Sequence, residues 1–552
     1  MNKRSTNRFM PVIMAICVVV GILTGTFYSN HFAGNRLNII NSGSNKLNNL
    51  LHIISDRYVD TVDINSLVEM AMPQIITELD PHSVYISAQD AQSANDELKS
   101  SFSGVGIEFV IRDDTIRVQN VIGNGPAERA GIIAGDKIVR VDGEPFTGPK
   151  VTSQEAVRRL KGPKDTKVKL GILSYGETKE KQITVVRGDI PQKSITATYM
   201  IDDETGYIKI KNFAENTYPE LLIALAKLAQ EGVDNLIIDL RGNTGGLLGA
   251  SVQMANEFLP KDRLIVYMEG AKAKRQDFFS DGRGSYKHIP LIVLIDETSA
   301  SASEIFAGAM QDNDRATIIG RRSFGKGLVQ EPIAFSDGSL VRLTIARYYS
   351  PSGRCIQKPY TLGDDKSYDA DLLARYEHGE FFSQDSIHHS GEGYKTSIGR
   401  IVYGGGGITP DIFVAEDTTN VTSYYKEASM SGLILQFAFN YTDQHRTTLN
   451  QFDDMPSIAQ YLDSQNIVDQ FVDYADKNGL KRRNLMIRKS RPLLERYLHS
   501  RIIYNIMSEE EWMEYLNLDD PAIETSIGVF AAGTAFPKLE APADTTTVLS
   551  AQ

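Results

Sequence analysis

An apolar run at 291–295 is followed by three serines at alternating positions: Ser299, Ser301 and Ser303. The stretch 291–330 also carries a single lysine, Lys326, which follows a second apolar run. A serine hydroxyl is a weak nucleophile at neutral pH and needs a neighbouring base. Burial lowers the pKa of a lysine toward neutrality, so a buried lysine could be that base. The stretch therefore has the residue types for nucleophilic catalysis.

The elements around these side chains predict how they would meet. We predict a strand over 291–295, a turn, a helix and a strand over 316–319, with Lys326 in the following loop. From residue 206, apolar strands alternate with helices, which indicates a sheet covered on both faces. A glycine-rich loop, DLRGNTGG at 239–246, follows one such strand. Sites in these sheets collect at the carboxyl ends of strands, where we expect the turn and this loop.

Two alternatives for the chemistry stay open. Four histidines lie between residues 288 and 389, but none has a recognisable carboxylate partner, so a Ser-His-Asp triad lacks support. The segment 320–326 fits the phosphate-loop pattern G-x-x-x-x-G-K, but Gly327 replaces its Ser or Thr and a strand-like run follows.

If the segment from Lys326 onwards is extended, Lys326 and Gln330 face the same side, and the Gln330 amide could orient the amine. No metal site is predicted, because His388 and His389 have no further ligand at suitable spacing.

Composition excludes some classes of protein. The chain has 552 residues, of which 41% are hydrophobic and 23% charged, enough for several globular domains. The formal net charge of -12 argues against nucleic-acid binding, which needs clustered cations. Its two cysteines are Cys17 and Cys355, and we expect no disulfide between them because Cys17 lies in the most apolar segment.

That apolar segment, residues 10–28, has about the length needed to span a bilayer. It follows three cations, and no further cation occurs until Arg36. The positive-inside rule then keeps the amino terminus in the cytoplasm and carries the rest across. A cleaved signal peptide is the alternative, but no A-x-A site follows the apolar run. We expect residues 1–35 to form a cytoplasmic tip and a transmembrane anchor.

The remaining regions differ in their hydrophobic pattern and therefore in their predicted secondary structure. Helical periodicity predicts a helical arm over 36–100, and short strands with two helices predict a compact domain over 101–187. The turn that opens this domain, Ser103-Gly-Val-Gly-Ile107, could hold a peptide's terminal carboxylate through backbone N–H groups. A polar insertion is predicted over 360–401 of an α/β domain at 188–419. Helices over 420–536 are expected to pack on the core or on another copy of the chain, and 537–552 to be disordered.

Several motifs together resemble the tail-specific, or C-terminal processing, serine peptidases. The resemblance runs from about residue 79 to residue 414, with the motifs in the order of that family. The matching stretches are LDPHS (79–83), the PDZ-like region, DLRGNTGG (239–246), SASASEI (299–305), GKG with Gln330 (325–330), SPSG (350–353) and GITPD (407–411). The fold implied is an α/β, crotonase-like protease core with an inserted PDZ-like domain and helical N- and C-terminal regions.

The resemblance also assigns roles to residues. It implies that Ser301 is the nucleophile, that Lys326 is the general base, and that Gln330 positions the lysine. The oxyanion hole would be formed by the backbone N–H of Ala302 and of a glycine, Gly245 or Gly246. Ser299 and Ser303 would be structural, with Ser303 capping the helix. The carboxylate-binding residues of the PDZ-like domain would be Gly104, Val105, Gly106 and Ile107.

The function expected from this resemblance is that of a serine endopeptidase without metal or organic cofactor. It would be anchored in a membrane with its catalytic part in the periplasm or an equivalent space, and would cleave proteins with exposed apolar C-termini. The helical regions could support a homo-oligomer. One alternative is a catalytically silent PDZ scaffold, although a scaffold has no use for Lys326. The other is a crotonase-like acyl-CoA enzyme, which an extracytoplasmic location would leave without its cofactor.

Overall fold

The computed structural model describes most of the chain. It covers residues 14–15, 18–22, 42–91, 101–112, 114–149, 151–174, 177, 179–389 and 392–539. The predicted membrane segment at 10–28 lies mostly outside these residues, and so does the tail from residue 540 onwards. Among the helices within this coverage, none combines the length and the apolar character needed to cross a membrane. The anchor and the disordered tail therefore stay predictions.

The chain folds as two units, residues 1–75 and residues 76–552. Helix α1 (Ser42–Arg57) and most of helix α2 (Ile64–Thr77) belong to the first. Helix α2 begins after Asp63, whose carboxylate accepts hydrogen bonds from the backbone N–H of Asn65 and the hydroxyl of Ser66. Both helices agree with the periodicity of 36–100. That region also contains a strand, β1 (Val84–Ile86), which the periodicity did not predict.

The β-rich region folds as a small domain with its own apolar core. Its elements are β2 (Ser101–Gly104), β3 (Ile107–Arg112), β4 (Thr115–Val121), α3 (Pro126–Arg129), β5 (Lys137–Val141), β6 (Glu144–Pro145), α4 (Ser153–Leu160), β7 (Lys167–Leu173), β8 (Lys181–Val186) and β9 (Gly188–Pro191). Strands β3, β4, β5, β7 and β8 form an antiparallel sheet in that order, with β3 at one edge. Thr152 caps α4 by accepting a hydrogen bond from the Glu155 N–H, as the spacing predicts.

The α/β region follows directly. Its elements are β10 (Ile195–Met200), β11 (Thr205–Ile210), α5 (Thr217–Glu231), β12 (Asn235–Asp239), α6 (Leu248–Phe258), β13 (Leu264–Glu269), β14 (Gln276–Phe279), β15 (Leu291–Ile295), α7 (Ala302–Asp312), β16 (Thr317–Gly320), β17 (Leu328–Ala334), β18 (Leu340–Tyr349), α8 (Asp365–Glu377), β19 (Gly393–Lys395), β20 (Ile401–Tyr403) and β21 (Ile412–Phe413). A short 3-10 helix, Gln384–Ser386, lies within the polar insertion.

Two sheets organise this region. The central sheet has the order β10-β11-β12-β15-β16-β21, and all its neighbours from β11 to β21 pair in parallel. Residues of α5, α6 and α7 share an apolar core with this sheet, and the five side chains of β15 are all buried. The second sheet is antiparallel, with β17 on one side of β18 and β1 and β13 on the other. A parallel sheet buried under helices is the predicted fold class, which is confirmed.

The C-terminal region is helical, as predicted. Its helices are α9 (Ser423–Met430), α10 (Leu433–Leu449), α11 (Met455–Asp463), α12 (Ile467–Lys477), α13 (Asn484–Tyr504), α14 (Glu509–Asn517) and α15 (Pro521–Ala531). Helices α9 to α13 bury an apolar cluster of their own. Helix α15 instead packs on the central sheet, where Ile523 and Val529 join a cluster with Ile237 and Ile292. The C-terminal region thus covers the face of the sheet opposite to α5, α6 and α7.

Candidate active site

The serine turn is fastened to the glycine-rich loop by the two serines that flank Ser301. The Ser299 hydroxyl donates to the carbonyl oxygen of Leu240 at 2.8 Å, and the Ser303 hydroxyl donates to that of Asn243 at 2.8 Å. Both hydroxyls therefore bond to the backbone of the neighbouring loop. The prediction that Ser303 caps the helix is wrong, because Ser303 lies within α7 and the N-terminal cap position is held by Ser301.

Ser301 has an unusual backbone conformation. Its φ is 56° and its ψ is -114°, a combination that side-chain-bearing residues rarely adopt. Such a conformation costs about 1–3 kcal/mol and persists only where the surroundings impose it. Strained residues of this kind cluster at active sites, which distinguishes Ser301 from Ser299 and Ser303.

The glycine-rich loop lies directly against the nucleophile candidate. A Cβ atom on Gly245 would sit 2.7 Å from the Ser301 Cβ and 2.9 Å from the Ala302 nitrogen, and the φ of Gly245 is +103°. The Gly245 N–H donates to the Asn243 side-chain oxygen at 2.9 Å. In the described part of the chain, the N–H groups of Ala302 and Gly246 have no hydrogen-bond acceptor. The Ala302 N–H follows Ser301 directly in the chain and is therefore available to stabilise an oxyanion there, and the Gly246 N–H is the candidate for a second donor.

Lys326 lies just before β17 and is partly buried. Burial, together with the nearby Arg342 cation, lowers the pKa of its amine from the ordinary value. The amine donates to the Gln330 side-chain oxygen at 3.4 Å, and the Gln330 amide donates in turn to the carbonyl oxygen of His82. No hydrogen bond joins the lysine amine to the Ser301 hydroxyl among the residues described. In enzymes without substrate such catalytic bonds are often long, and they tighten when substrate binds.

A buried carboxylate, Glu304, connects the serine turn with the lysine loop. One of its oxygens accepts from the backbone N–H groups of Ser301 and Lys326, both at 2.8 Å. The other accepts from the Ser323 hydroxyl at 2.5 Å and the Gly325 N–H at 2.7 Å. Burial raises the pKa of Glu304 to about 7, against these four bonds, which lower it. Glu304 thus fixes the backbone of the nucleophile candidate relative to that of the base candidate.

Tyr348 of β18 makes a second link between the two loops. Its buried hydroxyl bonds to the carbonyl oxygen of Ser301 at 3.1 Å and to that of Lys326. The sequence offered no signal for this role, because Tyr348 is one aromatic residue in a long strand. Glu304 could have been found, because Ser301-x-x-Glu304 has the spacing of a capping box.

The motif residue His82 belongs to the support of the lysine. Its ring contacts the Tyr368 hydroxyl at 2.8 Å, and that hydroxyl also accepts from the Gln357 amide at 3.3 Å. Gln357 then accepts from the Gly327 N–H at 2.8 Å, which returns the network to the lysine loop. Burial and the Lys326 cation lower the pKa of His82 to about 4, so the ring is neutral near pH 7.

The polar insertion packs on the lysine loop. Helix α8 supplies Tyr368 and also Arg375, which donates to the carbonyl oxygens of Ser323 at 3.0 Å and Arg322 at 2.7 Å. Glu380 pairs with both Arg375 and Arg322 in a largely buried cluster. The insertion therefore positions the segment that carries Lys326, a role that its polar sequence did not indicate.

The predicted carboxylate-binding turn lies between β2 and β3. Gly106 has a φ of +81°, and a Cβ there would sit 2.9 Å from the Ile190 side chain. The carbonyl oxygens of Val105 and Gly106 accept from Ala127 and Ile122, whereas their N–H groups have no acceptor among the described residues. The turn thus has N–H groups without an acceptor, which carboxylate binding requires, next to an edge strand.

Three family models match the chain. Peptidase family S41 matches residues 204–366, the PDZ domain matches residues 95–173, and a family of unknown function, DUF8443, matches residues 424–508. The S41 match contains the serine turn and the lysine loop. The DUF8443 match falls on the helices that bury their own apolar cluster.

Known proteins are similar over much of the chain. The carboxy-terminal-processing protease of Bartonella bacilliformis is 38% identical over 309 residues, which are 55% of this chain and 70% of that protein. The carboxy-terminal processing protease CtpB of Bacillus subtilis is 33% identical over 316 residues, 57% of this chain and 65% of that protein. Among solved structures, the photosystem II D1 C-terminal processing protease is 24% identical and covers 68% of this chain and 94% of its own, with a TM-score of 0.35.

The identity to the first of these relatives, and the share of that protein that is covered, establish kinship. The S41 and PDZ matches agree with it, and they fall on the two regions whose folds were described above. The chain therefore belongs to the carboxy-terminal processing proteases of peptidase family S41, and it is a serine-type peptidase with a PDZ domain.

Proposed function

We propose that this protein is an endopeptidase that cleaves proteins near their C-termini with a Ser301-Lys326 dyad. The PDZ domain would hold the free carboxyl terminus of the substrate at the turn 104–107. The observation that carries the proposal is the shared carboxylate of Glu304, which holds a strained serine and a lysine of lowered pKa in one network. A nucleophile and its base need this kind of fixed relation.

The chemistry follows from the positions of these groups. The neutral Lys326 amine takes the proton of the Ser301 hydroxyl as its oxygen attacks the substrate carbonyl carbon. The N–H groups of Ala302 and Gly246 stabilise the oxyanion of the tetrahedral intermediate, and the protonated lysine then protonates the leaving amine. In the second half of the reaction, Lys326 takes a proton from water as the water oxygen attacks the acyl carbon. The protonated lysine then returns a proton to the Ser301 oxygen as it leaves. Gln330 keeps the amine in place by its hydrogen bond.

An activity assay tests the dyad. The chain is incubated with an unstructured protein that ends in apolar residues, beside the variants Ser301→Ala and Lys326→Ala and the control Lys366→Ala, which changes an exposed lysine of the insertion. We expect both dyad variants to lose cleavage while keeping binding, and the control to retain both. Undiminished cleavage by Lys326→Ala would refute the dyad. Binding without cleavage by the unchanged chain would favour the alternative of a silent PDZ scaffold.

The location is proposed from the sequence. An apolar segment at 10–28 after a cluster of cations supports a membrane anchor with an extracytoplasmic catalytic part. Fractionation of cells that produce the full chain or a chain without residues 1–35 tests this: only the full chain should sediment with membranes. In intact cells, a protease added from outside should digest the catalytic part only after the outer layer of the cell envelope has been permeabilised. Assembly into a homo-oligomer through the helical regions stays a prediction.

A further inference from the structure

A cavity of about 380 Å³ lies between the PDZ domain and the helices of the C-terminal region. On the PDZ side its walls come from β3 and β4, and on the other side from α10, α12 and α13. It is lined by Val110, Ile111, Arg112, Gln119, Leu435, Gln436, Phe439, Tyr474, Asn478, Arg501 and Asn505. Its volume is in the range of ligand pockets, which is about 300–1,000 Å³.

Hydrogen bonds hold the two walls together around this cavity. The Gln119 amide donates to the Asn505 side-chain oxygen at 2.9 Å, and the Arg112 guanidinium donates to the Asn440 side chain. At the start of β3, the Tyr504 hydroxyl donates to the Glu108 carboxylate at 3.5 Å. The C-terminal helices therefore contact the strand that is expected to bind the substrate.

The geometry of β3 fixes the course of a bound peptide. Strand β3 is the edge of its sheet, and the carboxylate-binding turn directly precedes it. A peptide whose C-terminus sits at that turn must run antiparallel along β3, so its upstream residues pass toward Arg112. Six residues of β3 (Ile107–Arg112) span about 20 Å at about 3.3 Å per residue, which is the reach of about six peptide residues.

Alternation then decides which side chains meet the cavity. Ile107, Phe109 and Ile111 pack against the apolar core of the PDZ domain. The intervening side chains of β3 face the opposite side, where Val110 and Arg112 line the cavity, and Ile111 between them also borders it. Paired residues in an antiparallel sheet point to the same face, so peptide residues about three to five positions before the C-terminus face the cavity.

The residues that line the cavity indicate which kind of side chain it would bind. Two arginines line the cavity, and no aspartate or glutamate does. The Arg112 guanidinium is engaged with Asn440 and the carbonyl oxygen of Gln436, so Arg501 is the cation offered to a ligand. Arg501 lies over the rings of Tyr504 and Trp512 and has no carboxylate partner among the described residues. Leu435, which is 40% exposed, adds an apolar surface. A cationic pocket with apolar walls favours an acidic side chain with a methylene stem.

We propose that this cavity is a second substrate subsite, which binds an acidic side chain about three to five residues before the substrate's C-terminus. The inference rests on the proposed capture of that C-terminus by the turn 104–107. It assigns to the C-terminal helical region, residues 424–508, a part in substrate selection. Substrates with glutamate in this segment are then preferred over those with lysine.

Peptide binding to the full chain carrying Ser301→Ala tests the subsite without cleavage. The long fluorescent peptides have about eight residues, end in the same apolar residues and carry Glu, Gln or Lys at successive upstream positions. A short peptide of about three residues contains only the shared apolar C-terminus. We expect Glu to tighten binding about tenfold over Lys at one or two of these positions, as for a good charged contact. Equal affinities for all long peptides would refute the subsite.

The variants Arg501→Glu and Leu435→Ala identify the cavity as the source of the preference. Arg501→Glu should reverse it toward Lys, and Leu435→Ala, which alters a half-exposed side chain, should weaken all long peptides several-fold. Arg488→Glu, on the exposed face of the same helix, should change neither. The short peptide should bind all variants alike. Failure of the short and the long peptides to bind would overturn C-terminus capture and the subsite with it, whereas short-peptide binding with no upstream preference overturns the subsite alone.

Discussion

The serine turn and the lysine loop are supported in different ways. The turn is held by its own sheet: Ser299 and Ser303 bond to the loop after the neighbouring strand β12. The lysine loop is held by parts that are distant in sequence, since Gln330 bonds to His82, 248 residues away, and Gly327 bonds to Gln357. Helix α8 of the insertion adds Arg375. The position of the proposed nucleophile is therefore set by the core, whereas that of the proposed base is set by the core and by elements added around it.

Because the two loops are supported differently, substitutions that affect only the lysine loop can be distinguished from those that affect both loops. Alterations in the insertion or in the segment around His82 should reach the base and leave the serine turn intact. Glu304 and Tyr348 each bond to both loops, so alterations there should affect both. The loops also bond directly, because the Phe324 N–H donates to the carbonyl oxygen of Ser299 at 3.0 Å. The following predictions test that division, beginning with the largest effect.

Gly245→Ala should disable the serine side alone. The new Cβ would lie 2.7 Å from the Ser301 Cβ, at a φ that alanine rarely adopts, so Ser301 must move. We expect kcat/KM to fall by about 100-fold or more, as when an oxyanion-hole donor is removed. Peptidase assays measure this, with Gly249→Ala as the control, because a Cβ at that helical site meets nothing within 4 Å. Normal activity in Gly245→Ala would show that the loop does not contact the nucleophile.

Glu304→Gln should disturb both loops. The amide group replaces one acceptor oxygen and leaves two buried N–H or O–H donors unsatisfied, at about 1–3 kcal/mol each. We expect a lower melting temperature and a loss of kcat of about tenfold to 100-fold, because about 1.4 kcal/mol corresponds to tenfold. Thermal unfolding and kinetics measure the two effects. Glu524→Gln, at an exposed position of α15, is the control, and an equal result for both variants would remove Glu304 from the site.

The pH dependence of kcat/KM tests whether Lys326 acts as the base. In the proposed mechanism neutral Lys326 accepts the serine proton, so activity should be present above the pKa of the folded-state lysine and fall about tenfold per pH unit below it. Arg342 lowers that pKa by its charge. Arg342→Gln should therefore raise the pKa and move the acid limb of kcat/KM to higher pH. The exposed Arg347 on the same strand gives the control Arg347→Gln, and a limb that stays in place in both variants would argue against Lys326 as the base.

Tyr368→Phe should have the smallest effect and act on the base alone. The lost hydroxyl bonds to the His82 ring and the Gln357 amide, which support the lysine loop. We expect kcat to fall about fivefold, the value of about 1 kcal/mol for one hydrogen bond, with KM unchanged. Tyr376→Phe on the same helix is the control. A change in KM without a change in kcat would instead place Tyr368 at the substrate.

The sequence predicted the parts of this protein whose signals are local. The strand at 291–295, the cap at Thr152 and the alternation of strands and helices each depend on neighbouring residues, and the structure has them. The strand β1 and the support of the lysine by Tyr368 could not be predicted. Both depend on pairing between segments more than 200 residues apart, and periodicity carries no information on such pairing.

By itself, the sequence determined the fold class and the stretch that carries the site. A small-residue turn after an apolar strand and a lysine after the next one are local patterns with a known geometry. Tertiary structure alone decided which serine is strained, which oxygen and nitrogen groups are left without a partner, and what holds the lysine. The physical reason is that strain, burial and hydrogen-bond satisfaction are properties of atoms brought together by folding. Ser301 and Glu304 are three residues apart in sequence, but only the fold brings Lys326 to the same carboxylate.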